Sequence, residues 1–390
     1  MVVSAKFASG GSQHPDSAIA IGEAIGQVLD TLGGRSPTLA ALFFSEHHLP
    51  YLRDIVDTLH EVLNPSTLIG ASAQGVVSGA TEIESGPSLA LFALHDRDLL
   101  VEPVLLEAID TGDEAAILGW PKAVESPATL LLVADPFSFP TTVFLDHINT
   151  RHPDLTVIGG IASAASAPGQ NRLVLDRTIS SEGAVGVVMA GLGLEIDAVV
   201  SQGCSPIGRP YIVTKAESNV LYELGGKPAI ERLKESLAEA GENAKLAFKG
   251  LHIGIVVDEN QESFSRGDFL IRNVIGADQE TGAIAVGEKV EVGQTVQFQV
   301  RDAEGSHEDL VSLLSSRSAD AALLFTCNGR GTAFFGTPSH DAGVVEEVLG
   351  QIPLAGFFCA GEIGPVGGKN LLHGFTASLA LFRSTGLGSN

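Results

Sequence analysis

One pattern recurs along this chain: an apolar strand, a polar loop, a helical stretch, and a short strand that ends in glycine. Its three clearest copies end at Gly70 (LIG), Gly159 (VIG) and Gly356 (LAG). Their first strands are Thr38–Phe44, Thr129–Ala134 and Ala321–Thr326. Each copy continues into a turn-rich segment and another apolar strand. A unit of this kind cannot bury its sheet face alone, so the copies should pack against one another.

A fourth, eroded copy occupies the long interval between Gly159 and Gly356. A helix-like stretch at Pro228–Ala240 precedes the strand His252–Val257, and NVIG then ends at Gly276. Helical patterns also precede the other first strands, at Ser17–Leu32, Asp113–Val124 and His307–Ser316. The sequence therefore predicts four degenerate helix–strand–loop–strand–hairpin units, arranged in two pairs.

The pairing of the units predicts two related domains, residues 1–222 and 223–390. A length of 390 residues suits two domains of ordinary size. Short hairpins beside helical crossovers indicate mixed sheets, and hence an α+β fold whose sheets are covered by helices. An αββα sandwich is one arrangement open to such sheets.

The charge balance of the chain disfavours two classes of partner. Lys and Arg number 23 against 47 Asp and Glu, a formal charge of −24. Nucleic-acid affinity depends on phosphate neutralisation, and anionic headgroups repel an acidic surface, so we expect neither nucleic-acid nor membrane binding. The N-terminus has no apolar signal-like run, and the three cysteines show no CxxC spacing. We therefore expect a cytoplasmic protein with reduced thiols.

The loop of the last copy, Cys327-Asn328-Gly329-Arg330-Gly331, is the first candidate for chemistry. An arginine between glycines combines a forked guanidinium with exposed backbone N–H groups, which suits a carboxylate or a phosphate. A tight turn with a surface arginine would have the same sequence. Cys327 is the best thiol candidate because the nearby arginine could lower its pKa, although a buried, inert cysteine is the commoner case.

A second run, Gly361-Glu362, follows the other strand of the same unit. Because strand ends of one sheet meet at one edge, Arg330 and Glu362 could lie close together. They would then receive the carboxylate and the ammonium of an amino acid, or form a plain ion pair with each other. The corresponding loop of the eroded copy holds Arg266 and Asp268.

The corresponding loops of the first two copies read EHH from Glu46 and DPFS from Asp135. The four loops differ in charge, which favours function placed on the loops of a shared scaffold. His373 lies between two apolar strands, where a hydrogen-bonded core histidine is commoner than a haem ligand. The sequence has no HExxH, no CxxCH and no nucleotide-binding glycine motif. We expect no metal and no cofactor, with haem the open alternative.

Five segments of the chain resemble the FIST family of sensory domains. LIGASAQGVVSGATEIESGPSLALFAL, VIGGIASAASAPGQNRLVLD and GCSPIGRPYIVTKAESNVLYELGGKPA resemble the FIST N-terminal domain. LFTCNGRGTAFFG and IPLAGFFCAGEIGPVGGKNLLHGFTASLALF resemble the FIST C-terminal domain and are the most specific. FIST domains are regarded as intracellular sensors of small ligands, usually amino acids, and some bind haem. The resemblance covers nearly the whole chain.

The resemblance implies a stand-alone sensory protein that binds an amino acid or a related small carboxylate and signals through an unknown protein partner. The predicted ligand-binding residues are Arg330, Glu362, Cys327, Asn328, Gly329, Gly331, Gly361, Arg266, Asp268 and His373. Three other functions stay open: a haem-binding gas sensor, an enzyme that uses Cys327 with His340 or His373 as base, and a scaffold that binds only proteins. Nothing in the sequence pairs the enzyme's residues, so we lean against catalysis and assign no catalytic residue.

Overall fold

The fold is described from a computed structural model, which covers residues 5–385 apart from 111–114, 125, 192, 242–244, 246, 248–249 and 262. Its helices are α1 (Ser17–Leu32), α2 (Leu52–Thr58), α3 (Thr141–Arg151), α4 (Ala229–Glu239), α5 (Ala303–Ser315), α6 (Thr332–Phe335) and α7 (His340–Leu349). Short 3-10 or π-helical segments lie at Glu46–Tyr51, Leu59–Leu63 and Arg266–Asp268. The predicted α+β class is confirmed.

The strands fall into three mixed sheets and one barrel. Those before residue 203 are β1 (Lys6–Ser12), β2 (Leu39–Ser45), β3 (Thr67–Ala73), β4 (Val76–Ser78), β5 (Thr81–Ile83), β6 (Leu89–His95), β7 (Leu100–Asp110), β8 (Ala115–Leu118), β9 (Ala128–Ala134), β10 (Leu155–Ile161), β11 (Leu173–Leu175), β12 (Thr178–Ser180), β13 (Ala184–Ala190) and β14 (Leu194–Gln202). The later ones are β15 (Cys204–Pro206), β16 (Tyr211–Glu217), β17 (Val220–Leu224), β18 (Lys227–Pro228), β19 (Leu251–Val256), β20 (Phe269–Asp278), β21 (Ala283–Val286), β22 (Thr295–Arg301), β23 (Ala321–Cys327), β24 (Leu354–Cys359), β25 (Glu362–Val366), β26 (Lys369–His373) and β27 (Thr376–Ser384).

The three sheets share one topology, which defines three units. Their strand orders are β1-β6-β2-β3-β11-β12, β8-β7-β13-β9-β10-β25-β26 and β14-β27-β23-β24-β4-β5. We call residues 6–95 unit A, residues 100–190 unit B, and residues 194–202 with 303–384 unit C. In each unit a parallel pair of strands lies at the centre of the sheet, connected through a helical crossover.

The repeated glycine is required by the close approach of that parallel pair. Gly159 lies opposite Leu132, and Gly356 lies opposite Leu324. A Cβ atom at either glycine would come within 1.8 Å of the leucine carbonyl oxygen, and the corresponding distance at Gly70 is 2.5 Å. Any larger residue would push the two strands apart.

Each unit gives its hairpin to the sheet of another unit. The β4–β5 hairpin of unit A pairs with β24 of unit C, and the β25–β26 hairpin of unit C pairs with β10 of unit B. The β11–β12 hairpin of unit B pairs with β3 of unit A, which closes the ring. The turn-rich segment predicted after each glycine therefore exists, but it links the units instead of completing its own sheet.

The core has one central cluster and separate outer clusters. Strand β2 shows how the alternation of strand side chains builds both: Phe43 points to the centre, where it packs on Phe325 and Phe357 of unit C, whereas Phe44 faces α1 and α2. Helix α1 begins at Asp16, whose carboxylate accepts hydrogen bonds from two backbone N–H groups. Three sheets, not the two of a sandwich, therefore share the central core.

The segment predicted as a fourth copy is instead part of a closed antiparallel barrel. Strand β19 pairs antiparallel with both β20 and β22, so residues 204–301 form a barrel inserted into unit C between β14 and α5. A Cβ atom at Gly276 would meet nothing within 4 Å, so this glycine lacks the role it has in the units. The chain has three units and a barrel, and the predicted four units in two pairs were wrong.

Two further predictions concern a helix and a domain boundary. The helix predicted at Asp113–Val124 is absent from its described part, where Ala115–Leu118 forms β8; residues 113 and 114 lie outside the described residues. The domain boundary predicted after residue 222 falls within β17 and stays a prediction. None of the helices in the described ranges has the length and apolar composition that a bilayer crossing requires.

Candidate functional site

The CNGRG loop connects β23 to α6, and Arg330 in it is completely buried. Its guanidinium makes a two-pronged ion pair with Asp341 of α7: Nε and Nη2 each donate to a carboxylate oxygen at 2.8 Å. The hydroxyl of Thr326 donates to the same carboxylate at 2.7 Å. Arg330 is therefore neither a surface residue nor the ion-pair partner of Glu362.

The electrostatics of this pair keep both groups charged. Burial disfavours the ionised carboxylate, but the charge and hydrogen bonds of Arg330 outweigh burial and hold the pKa of Asp341 below its usual range. The Arg330 Nη1 atom has no hydrogen-bond partner among the described residues. A Cβ atom at Gly203 would lie 3.3 Å from Nη1, so this nitrogen faces the link between unit C and the barrel.

Glu362 lies in the same buried cluster but in a different protonation state. One of its oxygens accepts from the backbone N–H (3.1 Å) and the hydroxyl (2.8 Å) of Thr376. The other oxygen has no partner within the described part of the chain. Burial raises the pKa of Glu362 to about 8, although the Thr376 hydrogen bonds oppose the rise. The carboxyl is mainly protonated at neutral pH and is a weak receptor for an ammonium group.

The exchanged hairpin of unit A brings two more carboxyl groups to this loop. Glu82 accepts a hydrogen bond from the backbone N–H of Ala342 at 2.8 Å, and burial followed by the charge of Asp341 raises the pKa of Glu82 to about 8. Glu84 accepts from the backbone N–H of Thr332 at 2.8 Å and from its hydroxyl. The local sequence of the loop gives no sign of either residue.

A cavity of about 520 Å³ opens beside the loop, and we call it the unit C cavity. Its lining is contributed by the exchanged segment of unit A, the barrel end, α5, the loop and α6: Glu84, Arg301, Asp302, Ala303, Glu304, Asn328, Gly329, Gly331, Ala333 and Phe334. Three of the predicted residues, Asn328, Gly329 and Gly331, line this cavity. A Cβ atom at Gly331 would lie 2.2 Å from a Glu84 carboxylate oxygen, so a larger residue there would displace the Glu84 side chain.

Arg301, the last residue of β22, is the cation of this cavity. Its guanidinium carbon lies 4.4 Å from the ring centre of Phe334 and 4.9 Å from that of Phe375. Its Nη2 donates to the carbonyl of Gly329, and its Nε has no partner in the described ranges. The sequence analysis missed Arg301, and its position at the end of the strand TVQFQVR was the one available signal.

Unpartnered polar atoms are concentrated where unit C meets the barrel. Buried polar groups in folded proteins are nearly always hydrogen-bonded, so such a concentration marks a place for water or a ligand. Among the described residues these atoms include Gln202 Oε1, both side-chain polar atoms of Gln299, Arg301 Nε, Asn328 Oδ1, Arg330 Nη1 and Glu362 Oε1.

Cys327 does not have the activated thiol that its neighbour suggested. Burial, and next the charge of Glu362, raise the pKa of Cys327 to about 12, and these effects exceed the opposing effect of Arg330. Cys359 lies directly opposite Cys327 in the register of β23 and β24, and burial raises the pKa of Cys359 as well. Both thiols stay protonated at neutral pH, which disfavours a thiolate nucleophile.

The remaining predicted residues do not line the unit C cavity. Arg266 donates to Ser205 Oγ at 2.7 Å and to the Gly305 carbonyl, which fixes the barrel to α5. Asp268 caps its own turn by accepting from Ser265. Gly361 packs beside the side chains of Ile161 and Leu372.

His373 is a core residue. Its Nε2 lies 3.0 Å from the Gly364 carbonyl, and burial lowers the pKa of His373 to about 4. The imidazole is therefore neutral, and its Nε2 is engaged by a backbone carbonyl. The described residues also contain no group of three or more His, Cys, Asp or Glu side chains that could hold a metal ion.

Comparison with known proteins identifies the family of this chain. The FIST N domain model matches residues 38–227, and the FIST C domain model matches residues 229–365. The uncharacterized protein MT0656 of Mycobacterium tuberculosis is 45% identical over 380 residues, which cover 96% of this chain and 98% of the relative. The uncharacterized protein Mb0898c of Mycobacterium bovis is 44% identical over 377 residues, 94% of this chain and 96% of the relative. FIST domains are associated with small-ligand sensing and signal transduction. With both models matched across most of its length, this chain belongs to the FIST domain family.

Proposed function

We propose that this protein is a non-enzymatic sensor that binds an amino acid or a related small carboxylate in the unit C cavity. The observation that supports this most directly is the guanidinium of Arg301. It lies at the edge of a cavity of about 520 Å³, within the usual size range of small-molecule sites, and keeps an unpartnered Nε. The family's association with small-ligand sensing supports the same assignment.

The cavity offers complementary groups to both ends of an amino acid. Arg301 presents a forked donor for the carboxylate, and the Asn328 Oδ1 adds an unused acceptor. Glu84 and Glu304 line the same cavity and supply negative charge for an ammonium group. The buried Arg330–Asp341 pair holds the loop that shapes the cavity, so we assign Arg330 a positioning role.

The same geometry favours binding over catalysis. A nucleophilic mechanism through Cys327 would need a thiolate, but the pKa of Cys327 is raised to about 12 by burial. Haem binding stays a hypothesis to which His373 lends no support. A cytoplasmic location and a downstream protein partner also stay proposals.

The test is calorimetric titration of the purified protein with a panel of amino acids and 2-oxo acids. A ligand that binds only the native state also raises the melting temperature. For any binder, Arg301→Ala should weaken affinity by roughly ten- to a hundredfold, because a hydrogen bond to a charged group contributes about 1.5–3 kcal/mol. Arg317→Ala is the matched control, since Arg317 pairs with Asp197 away from the cavity.

Two outcomes would contradict the proposal. One is an Arg301→Ala variant that binds with unchanged affinity. The other is a panel in which no compound binds or stabilises the wild-type protein. Native mass spectrometry of the protein as purified separates this function from a protein-only scaffold, because a copurifying small molecule is expected only of a sensor.

A further inference from the structure

Units A and C resemble each other in more than the topology of their sheets. In each, a helix precedes the first strand of the parallel pair: α1 precedes β2, and α5 precedes β23. The loop after that strand lies next to the start of the helix. In unit C this corner holds the unit C cavity, and in unit A it holds a larger cavity of about 740 Å³, which we call the unit A cavity.

The walls of the unit A cavity are largely apolar. Ile21 of α1 and Ile55 of α2 form its floor, and both are 1% exposed. Pro50 and Tyr51 form one wall, and the Tyr51 ring is 57% exposed. A large aromatic ring beside a buried aliphatic floor is typical of a site that receives an apolar group.

The charges at this cavity are of one sign. Its lining includes Asp16 and Asp54, but no lysine or arginine. The Asp54 carboxylate has no hydrogen-bond or ion-pair partner among the residues that the structure describes. Asp16 already accepts from the N–H groups of Ala18 and Ile19, so the helix start presents a carboxylate to the cavity and not free donors. An anion would be repelled there and a cation attracted.

Of the two histidines at this corner, His47 lines the cavity and the buried His48 adds no positive charge to it. His47 Nε2 bonds to the Pro15 carbonyl at 2.8 Å. His48 is completely buried, and its Nδ1 lies 2.8 Å from the hydroxyl of Ser17, which lines the cavity. Burial, and next the charge of His47, lower the pKa of His48 to about 4, so the ring carries no positive charge at neutral pH.

We infer that the unit A cavity is a second binding site, which takes a small organic cation with an apolar body, such as an arylalkylamine. The ammonium group pairs with Asp54 at the edge, where the Tyr51 ring adds a cation–π contact. The apolar body lies on Ile21 and Ile55. The unit C cavity is built for a carboxylate by Arg301, so the two equivalent corners select ligands of opposite charge.

The experiment is calorimetric titration of the full chain with 2-phenylethylamine and with 3-phenylpropionate, which has a similar apolar body and the opposite charge. The amine should bind and the carboxylate should not bind at this cavity. Asp54→Asn should weaken binding of the amine at least tenfold, whereas Glu61→Gln, an exposed acidic position further along the chain, should leave it unchanged. Ala18→Trp fills the cavity from an exposed helix position and should abolish binding.

The site is distinguishable from the unit C cavity by Arg301→Ala, which should leave amine binding intact. Loss of amine binding in that variant would place the amine elsewhere and overturn the inference. Equal affinity for the amine and the carboxylate in the Arg301→Ala variant, unchanged amine affinity in Asp54→Asn, or no amine binding at millimolar concentration would each overturn it too. Melting temperatures of all variants within a few degrees of the wild type show that lost binding is not lost folding.

Discussion

The loops of units B and C occupy the same place in the same topology, but they differ in how completely their buried charged group is hydrogen-bonded. In unit B, Asp135 is completely buried and both of its carboxylate oxygens accept hydrogen bonds. One oxygen accepts from the backbone N–H groups of Phe137 and Ser138, both at 3.0 Å, and from the Ser138 hydroxyl at 2.7 Å. The other accepts from Asn171 at 3.0 Å. In unit C, Arg330 is equally buried, but its Nη1 has no hydrogen-bond partner in the described part of the chain.

This difference supports a structural role for the unit B loop and the proposed binding role for the unit C loop. A loop whose buried charge is fully hydrogen-bonded is a finished structural element and leaves nothing for a ligand. A loop with an ion pair and several polar atoms that lack hydrogen-bond partners can still bind a ligand through those atoms. The unit A loop is intermediate, because His48 is bonded through Nδ1 but its Nε2 has no partner in the described ranges.

The largest effect should come from breaking the buried pair of unit C. Arg330→Met leaves Asp341 buried and uncompensated, so the free energy of unfolding should fall by about 3–5 kcal/mol. Urea denaturation measures this change. The double variant Arg330→Met/Asp341→Leu removes both charges and should recover most of the loss. A double variant that is no more stable than the single one would contradict the account.

A smaller loss should follow removal of the unit B carboxylate. Asp135→Ala deletes hydrogen bonds to one charged group and leaves buried N–H donors unpaired, so the free energy of unfolding should fall by about 2–3 kcal/mol. Affinity for a ligand of the unit C cavity, measured by titration of the folded variant, should not change. A weakened affinity would show that the unit B loop is not purely structural.

The smallest effect, taken per pH unit, is a change in the pH dependence of stability. Glu362 has an ordinary pKa of 4.5 and a folded-state pKa of about 8, so between these values folding takes up a proton. Stability therefore falls as the pH rises through this window, by up to about 1.4 kcal/mol per pH unit from this group. Glu362→Gln should show a smaller slope in urea denaturation at pH 5, 6, 7 and 8. Glu82, whose pKa is also raised to about 8, adds a slope of the same sign, and His48 and His373, whose pKa values are lowered to about 4, add slopes of the opposite sign below pH 6.5.

A substitution at an exposed position is the control for the change in pH slope. Glu61→Gln should keep the wild-type slope, since Glu61 is exposed. A Glu362→Gln variant with the wild-type slope would mean that the buried carboxyl is ionised in the folded protein.

The sequence predicted the units wherever a physical requirement is local. The glycine at Gly70, Gly159 and Gly356 recurs because a side chain there would strike the neighbouring strand. The same pattern led to the wrong prediction of a fourth unit around Gly276, since an apolar strand, a helix and a glycine also occur in an antiparallel barrel. Whether a strand pairs parallel or antiparallel depends on its partner strand, and so short a sequence pattern does not indicate it.

The site was predicted only in part, because the sequence shows local features and not tertiary partners. The CNGRG loop has an unusual local composition, so its place at a cavity was accessible from the sequence. The partners of that loop were not: Asp341 comes from a following helix, Glu84 from another unit, and Arg301 from the barrel. Side-chain pairing across such distances requires the tertiary fold.

The ring of exchanged hairpins has a consequence for how the chain is made. During synthesis from the N-terminus, the edge of β10 has no partner until the β25–β26 hairpin, near the end of the chain, has left the ribosome. The β4–β5 hairpin is made early and must wait for β24. A nascent or truncated chain therefore carries an open sheet edge and an unplaced hairpin, which are the two halves of an intermolecular swap. Pairing of the β25–β26 hairpin with β10 closes that edge within the same chain.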